Sequence, residues 1–206
     1  MNIPNKLTIS RIIMTPVFLA FIAPLPVRLP DAPVFSWLAG ALDSYNDFVL
    51  NGAGKYVAGF IFLIAFLTDA IDGYIARKYD LVTDFGKFLD PIADKLLVAA
   101  ALIALAERGE VSGWAAVIII SREFIVTGFR LVAASGSGLV IEAGTLGKLK
   151  TVTQFIALTL ALFDNIPFSL ISDFPLSDAF MFVAVVLTVV SGAQYIIANK
   201  HILTNK

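Results

Sequence analysis

Six long apolar segments limit what this chain can fold into more than any other feature of its sequence. Each holds about 20 residues, the length with which an α-helix crosses the hydrocarbon core of a bilayer. The segments lie at about 7–26, 56–79, 84–106, 113–134, 146–165 and 175–199. In lipid the backbone polar groups must be satisfied internally, and these segments are too long for barrel strands. They therefore predict an all-α integral membrane fold with six transmembrane helices.

The composition agrees with lipid as the surroundings of most of the chain. Of the 206 residues, 58% are hydrophobic and 15% are charged, whereas a soluble domain carries roughly 25% charged residues. The net charge of -1 does not indicate a nucleic-acid partner. The absence of cysteine excludes disulfides and thiolate metal sites, and we interpret the one histidine, His201, as an interfacial residue after the last helix. No repeat or second domain is visible, so residues 1–206 are predicted to form a single membrane domain.

Basic residues near the segment ends predict the orientation. With both termini in the cytoplasm, only Arg28, Lys55 and Arg108 of the 15 Lys and Arg residues lie outside. This bias follows the positive-inside rule. The stretch 27–55 is then an external loop with a short surface helix. The N-terminus lacks a clear cleavage site for a signal peptide, so the first segment is predicted to be a retained helix.

Four aspartates stand in the second and third segments at helical spacing. Asp69 and Asp72 are three residues apart, and Asp90 and Asp94 are four apart. Each pair therefore shares one face of its helix, and a turn near residues 80–83 is expected to bring the pairs face to face. Ionisable groups inside a membrane segment are costly and usually functional. We refer to these residues as the four aspartates.

The pattern around the four aspartates indicates a site for hard divalent cations. Carboxylates that converge in a low dielectric repel one another unless cations neutralise them, and Mg²⁺ or Mn²⁺ prefers oxygen ligands. Gly73 and Gly86 remove side-chain bulk there, and Arg77 offers a planar set of donors for phosphate oxygens. The alternative, solvated charges at helix ends, does not account for these interleaved residues.

The same residues resemble the signature of the CDP-alcohol phosphotransferase family, D-x2-D-G-x2-A-R-x8-G-x3-D-x3-D, at every fixed position. The resemblance implies six helices around a polar cavity open to the cytoplasm. It also implies transfer of a phosphatidyl or similar group from a CDP-linked donor to an alcohol, with release of CMP. Two divalent cations, Mg²⁺ or Mn²⁺, would be held by the four aspartates, and Asp94 would also be the general base. Five motif positions are implied to contact the CDP-lipid: Asp69, Asp72, Gly73, Arg77 and Gly86.

A basic cluster marks the cytoplasmic side of the fourth and fifth segments and consists of Arg122, Arg130, Lys148 and Lys150. Arg122 and Arg130 are eight residues apart, so they lie on about one face of a helix, two turns apart. Such a cluster predicts that the acceptor alcohol itself carries a phosphate. Two alternatives remain open. These residues set the topology at the lipid surface, or Arg122 pairs with Glu123.

The strings around the basic cluster, R-E-F-x-V-T-G-x-R and G-K-x-K-T, resemble the phosphatidylglycerophosphate synthases within that family. The N-terminal segment is similar to their first helix, and this similarity assigns Asn5 and Thr8 to CDP-lipid binding. The implied reaction transfers the phosphatidyl group of CDP-diacylglycerol to sn-glycerol 3-phosphate and gives phosphatidylglycerophosphate and CMP. The basic cluster would bind the acceptor's phosphate. The external loop and the last segment add little to the resemblance.

Two other functions fit part of the pattern. A sister enzyme would use the same donor with another alcohol, such as inositol phosphate or serine. A divalent-cation transporter would also carry carboxylates within the membrane, but it needs neither Arg77 nor the basic cluster. We expect a multi-pass protein of the cell membrane with its site facing the cytoplasm. We also expect a homodimer in contact with membrane lipid and no nucleic-acid partner.

Overall fold

The computed structural model of the chain describes residues 3–27, 36–78, 84–137 and 144–199. Within these ranges, only the backbone is described at 3–8, 69–78, 84–91, 94 and 131–137. The described part of the chain contains seven α-helices and no strand, so the predicted all-α fold is confirmed. In chain order the helices are α1 (Ile3–Ile22), α2 (Ser36–Leu50), α3 (Gly54–Lys78), α4 (Asp84–Glu107), α5 (Gly113–Ser137), α6 (Thr145–Leu162) and α7 (Leu176–Ala198).

Each of the six predicted segments corresponds to one of these helices, with ends that differ by a few residues. The short helix predicted within the external loop is α2. The turn predicted near residues 80–83 falls outside the described residues. The length of the apolar segments is therefore sufficient to locate these six helices.

The chain divides into two compact units, Met1–Ala104 and Leu105–Lys206. In the first unit, α1 packs against α3, and α2 contacts both. The rings of Phe18 and Phe62 are buried between α1 and α3 with their centroids 6.3 Å apart. Phe21 and Phe48 meet edge to face at 6.4 Å between α1 and α2. Aromatic side chains bury large apolar areas, so these contacts contribute to the packing of α1 on α2 and α3.

Hydrogen bonds from α2 complete the C-terminal end of α1. The hydroxyl of Tyr45 lies 2.9 Å from the carbonyl oxygen of Ala20 and 3.2 Å from that of Ala23. The amide side chain of Asn46 binds both the N–H and the carbonyl of Leu25. The last carbonyls of a helix have no partner within it, so α2 satisfies groups that α1 leaves unpaired.

In the second unit, α5 and α6 both pack against α7. The chain passes from α6 to α7 through Asp164 and Asn165, which have left-handed φ angles of 53° and 59°. The Asn165 side chain then accepts a hydrogen bond of 2.7 Å from the N–H of Ser177 in the first turn of α7. This bond satisfies one of the N–H groups that a helix start leaves free.

The described residues contain one helix that by itself is long and apolar enough to cross a membrane, α7. A second candidate exists if α2 and residues 54–68 of α3 are taken together, although they bend by 61° at their junction. The other predicted spans include charged residues. For example, α5 carries Arg122, Glu123 and Arg130. The count of six spans stays a prediction.

Candidate functional site

The structure places the four aspartates on two helices, as their spacing predicts. Asp69 and Asp72 lie on α3, and Asp90 and Asp94 lie on α4. At three- and four-residue spacing, each pair occupies one face of its helix. Their side chains lie outside the described part of the chain, within which no group of three or more His, Cys, Asp or Glu side chains forms a potential metal site. Their role in metal binding stays a prediction.

The other residues predicted for the CDP-lipid also lie on helices. Gly73 and Arg77 stand in the last turns of α3, and Gly86 stands in the first turn of α4. Asn5 and Thr8 belong to the first turns of α1. Only their backbone is described, so the structure fixes their position along the helices and no contact.

The basic cluster is described in detail, and its centre is an ion pair between α5 and α6. Lys150 donates through Nζ to Oε1 of Glu123. The two residues are 2% and 5% exposed. Charges buried to this degree need a partner of opposite sign. Glu123 and Lys150 therefore stabilise each other and tie the start of α6 to the middle of α5.

Arg122 extends this ion pair to α7. Its Nη1 lies 3.4 Å from the same Oε1 of Glu123, and its Nη2 donates to the Ser191 hydroxyl at 3.1 Å. The predicted alternative of an Arg122–Glu123 pair is thus present, but the contact is long for a charge-assisted hydrogen bond. Arg122 is held between a carboxylate on its own helix and a hydroxyl on α7.

Arg130 lies against the same face of α7. Its guanidinium carbon is 5.6 Å from the centroid of the Tyr195 ring, within the range of a cation–π interaction. Ser191 and Tyr195 are four residues apart on α7 and share a face. Arg122 contacts Ser191 and Arg130 contacts Tyr195, so both guanidinium groups meet one face of α7. Guanidinium groups that meet at one place suit the oxygens of an anion.

Glycine at position 192 allows Arg122 to lie along α7. A Cβ atom placed on Gly192 would be 3.0 Å from Cγ of Arg122, which is closer than ordinary van der Waals contact. Gly192 is buried, as is the neighbouring Ser191. Its missing side chain provides the space through which the Arg122 side chain passes.

Several buried polar atoms at this cluster have no hydrogen-bond partner among the described residues. They are Nε of Arg122, Nε of Arg130, the hydroxyl of Tyr195 and Oε1 of Gln154. Gln154 follows Lys150 by one turn of α6. Buried polar atoms are rarely left without a partner and often mark contacts to water or ligand. Two of these atoms are guanidinium donors, which suit the oxygens of an anion.

The structure brings three of the four predicted basic residues into one cluster, namely Arg122, Arg130 and Lys150. The fourth, Lys148, is exposed. It precedes the buried Lys150 by two residues on α6 and so projects from a different side of the helix. Whether any of these residues binds an acceptor phosphate stays a prediction.

Sequence reasoning missed most of the partners of the basic cluster. Ser191, Gly192 and Tyr195 come from the last apolar segment, which shows no family motif. A signal is present, because a serine–glycine pair followed by a tyrosine at four-residue spacing places small and polar groups on one helix face. The sequence suggests Glu123 only as a partner of Arg122, and its position as the one acidic residue of α5 is the available signal for a larger role.

Comparison with known proteins gives a consistent result. The family model described as CDP-alcohol phosphatidyltransferase matches residues 1–190 of this chain. The chain is 46% identical over 202 residues to the CDP-diacylglycerol–glycerol-3-phosphate 3-phosphatidyltransferase of Bacillus subtilis (strain 168). That alignment covers 98% of this chain and 97% of the relative.

Two further relatives agree. The chain is 33% identical over 203 residues to the Rickettsia bellii (strain RML369-C) protein of the same name, covering 97% of this chain and 96% of the relative. It is 37% identical over 198 residues to a Mycobacterium tuberculosis (strain ATCC 25618 / H37Rv) protein named probable phosphatidylglycerophosphate synthase, covering 95% of this chain and 80% of the relative. The match therefore includes the aspartate helices, the basic cluster and α7.

Proposed function

Because this chain belongs to the CDP-alcohol phosphatidyltransferase family, we propose that it transfers the phosphatidyl group of CDP-diacylglycerol to sn-glycerol 3-phosphate. The products are phosphatidylglycerophosphate and CMP. The observation that carries this proposal is the 46% identity, over 98% of the chain, to a relative whose name states that reaction. The resemblance found in the motif and in the strings around the basic cluster points to the same reaction.

The basic cluster supports glycerol 3-phosphate as the acceptor. Arg122 and Arg130 converge on one face of α7 with buried guanidinium nitrogens that lack a partner within the described residues. Guanidinium groups bind phosphate oxygens with good geometry. We propose that the acceptor's phosphate binds at the basic cluster, where these two guanidinium groups meet one face of α7.

The four aspartates are the proposed ligands of two divalent cations, Mg²⁺ or Mn²⁺. Their placement on α3 and α4, in pairs that each share a helix face, fits such a ligand set. When bound, the cations would stabilise negative charge on the pyrophosphate of the donor. Gly73, Arg77 and Gly86, with Asn5 and Thr8 on α1, are proposed to hold the CDP-lipid.

Asp94 is the proposed general base. The primary hydroxyl of glycerol 3-phosphate attacks the phosphorus that carries diacylglycerol, and its proton passes to the Asp94 carboxylate. A new oxygen–phosphorus bond forms as the bond from that phosphorus to the bridging oxygen of the pyrophosphate breaks. CMP leaves with the bridging oxygen.

We also propose how the protein lies in the membrane. Six spans would surround a polar cavity open to the cytoplasm, in a single membrane domain with both termini on that side. The donor's acyl chains would then stay in the bilayer while the head groups meet in the cavity. The apolar α7 and the composition of the chain support membrane insertion. A homodimer stays a proposal to be tested by the mass of the detergent-solubilised protein.

An acceptor panel tests the proposed reaction. Purified protein is given CDP-diacylglycerol, Mg²⁺ or Mn²⁺, and one of glycerol 3-phosphate, inositol phosphate or serine, and CMP and lipid products are measured. We expect product with glycerol 3-phosphate, its loss on addition of EDTA, and its recovery with excess Mg²⁺. The Asp94→Asn variant is the matched inactive control, expected to be at least about 100-fold slower.

Other outcomes would contradict specific parts of the proposal. Efficient use of inositol phosphate or serine without glycerol 3-phosphate would assign the chain to a sister activity. Turnover that persists in EDTA would exclude the divalent cations. Cation flux in proteoliposomes without any lipid product would favour a transporter.

A further inference from the structure

The cations of the basic cluster differ in burial and in their contacts. Lys150 is 2% exposed, and its ammonium group contacts Glu123, which is 5% exposed. Arg122 keeps 15% of its side chain exposed and approaches the same carboxylate oxygen only to 3.4 Å. The buried Nε atoms of Arg122 and Arg130 have no partner in the part of the chain that is described.

We propose that Glu123 and Lys150 form a positioning pair and that Arg122 and Arg130 are the groups that bind the acceptor's phosphate. This inference rests on the proposed function, and it assigns two different roles within the basic cluster to Lys150 and to the two arginines. Lys150 acts through Glu123. It occupies the carboxylate oxygen that Arg122 would otherwise take, so the Arg122 guanidinium keeps donors available for a ligand.

Competition for one oxygen atom is the physical basis of this division. Oε1 of Glu123 lies near both Nζ of Lys150 and Nη1 of Arg122. A buried carboxylate that loses one cation pairs more closely with a cation that stays beside it, because an uncompensated buried charge is strongly unfavourable. Removing the charge of Lys150 alone should therefore draw Arg122 onto Glu123 and away from the phosphate.

The charge balance agrees with a phosphate monoester as the ligand. Among the residues in contact here that the structure describes, Glu123 and Lys150 carry opposite charges, and Arg122 and Arg130 carry one positive charge each. A phosphate monoester carries about -1.5 to -2 charges at pH 7. Serine and other alcohols without a phosphate cannot balance two guanidinium charges, so the arginines would select for a phosphorylated acceptor.

A double-mutant cycle separates a positioning role of Lys150 from direct binding. Wild type, Lys150→Met, Glu123→Gln and the double variant Glu123→Gln/Lys150→Met are compared by their KM for glycerol 3-phosphate and for CDP-diacylglycerol. We expect Lys150→Met to raise the KM for glycerol 3-phosphate about 10-fold or more, because Arg122 then pairs with Glu123 and its charged contact to the phosphate is lost. The double variant, in which Glu123 no longer competes for Arg122, should return to within about 3-fold of wild type. The KM for the donor should stay within about 2-fold throughout.

Direct binding by Lys150 gives a different result. If its ammonium group contacts the phosphate, the double variant is as defective as Lys150→Met, and this outcome would overturn the proposal. A Lys150→Met variant with an unchanged KM would also overturn it. If the single variant does not fold, the double variant alone decides, because the positioning role predicts a nearly normal KM and direct binding predicts a raised one.

A second ion pair is the matched control. Arg108 and Glu110 bind each other at 2.8 Å between α4 and α5, outside every site proposed here. Their double replacement, Arg108→Met/Glu110→Gln, should leave both KM values unchanged. Failure of the proposed function is recognised separately, because wild type itself would then give no product with glycerol 3-phosphate. In that case the melting temperatures of the same variants are compared. The double variant should melt at a higher temperature than either single variant.

Discussion

At position 192 the absence of a side chain determines where Arg122 can lie. The Gly192→Ala substitution would place a Cβ atom 3.0 Å from Cγ of Arg122. Because neighbouring atoms must move to relieve such a contact, overpacking costs about 1–3 kcal/mol. We expect the KM for glycerol 3-phosphate to rise several-fold as the guanidinium is displaced, with little change in the KM for CDP-diacylglycerol.

Gly40→Ala is the matched control for this prediction. Gly40 also lies within a helix, α2, but no atom is found within 4 Å of a Cβ placed there. Alanine favours a helix over glycine by about 1 kcal/mol, so this variant should melt at the same or a higher temperature with both KM values unchanged. An equal change of KM in both variants would show that the Gly192 effect does not arise from Arg122.

At the scale of the element, α2 stabilises the end of α1 through the Tyr45 hydroxyl. Tyr45→Phe removes this donor from the Ala20 and Ala23 carbonyls and should cost about 1 kcal/mol of stability. Tyr195→Phe is the opposite case, because the Tyr195 hydroxyl is buried without a hydrogen-bond partner among the described residues. Thermal unfolding in detergent should show a lower melting temperature for Tyr45→Phe and no decrease for Tyr195→Phe. Equal losses would indicate that removing either hydroxyl perturbs the packing.

The helices could be predicted from the sequence, whereas their contacts could not. Apolar length locates α1 and α3 to α7 because each must bury or embed about 20 residues. The contribution of α7 to the basic cluster has no such signal. Ser191 and Tyr195 are ordinary in an apolar helix, and they become significant only because α5 and α7 pack side by side. Packing depends on complementary side-chain shapes from distant parts of the chain.

At the scale of the whole molecule, the sequence proposes the four aspartates and the basic cluster as sites for a different reason. Charged residues are rare in an apolar chain, because burying them is unfavourable without a partner or a function. Their presence in such a chain is therefore enough to indicate a site. The proposed division of roles between Lys150 and Arg122 could not be predicted, because the sequence shows neither the burial nor the contacts of a basic side chain. Burial and the shared oxygen of Glu123 distinguish them.

The proposed six-span topology can be tested directly by cysteine labelling, because the chain itself has no cysteine. In that topology the connections α4–α5 and α6–α7 lie outside, and the start of α6 lies in the cytoplasm. Each of these three places has an exposed residue: Ser112 between α4 and α5, Ser172 between α6 and α7, and Thr145 at the start of α6. A single introduced cysteine therefore shows on which side of the membrane its position lies. The unsubstituted chain, which has no thiol, is the background control.

Ser112→Cys and Ser172→Cys should react with a membrane-impermeant maleimide in spheroplasts, whereas Thr145→Cys should react only after permeabilisation. The physical reason is the position of Lys148 and Lys150 just after Thr145. A lysine at the centre of a span costs about 2.5–3.5 kcal/mol, and basic residues near span ends are retained in the cytoplasm. Labelling of Thr145→Cys in intact spheroplasts, at the rate seen for Ser112→Cys, would place the basic cluster outside. That result would contradict a cytoplasmic site, because glycerol 3-phosphate and the donor head group would then have to meet on the other face of the membrane.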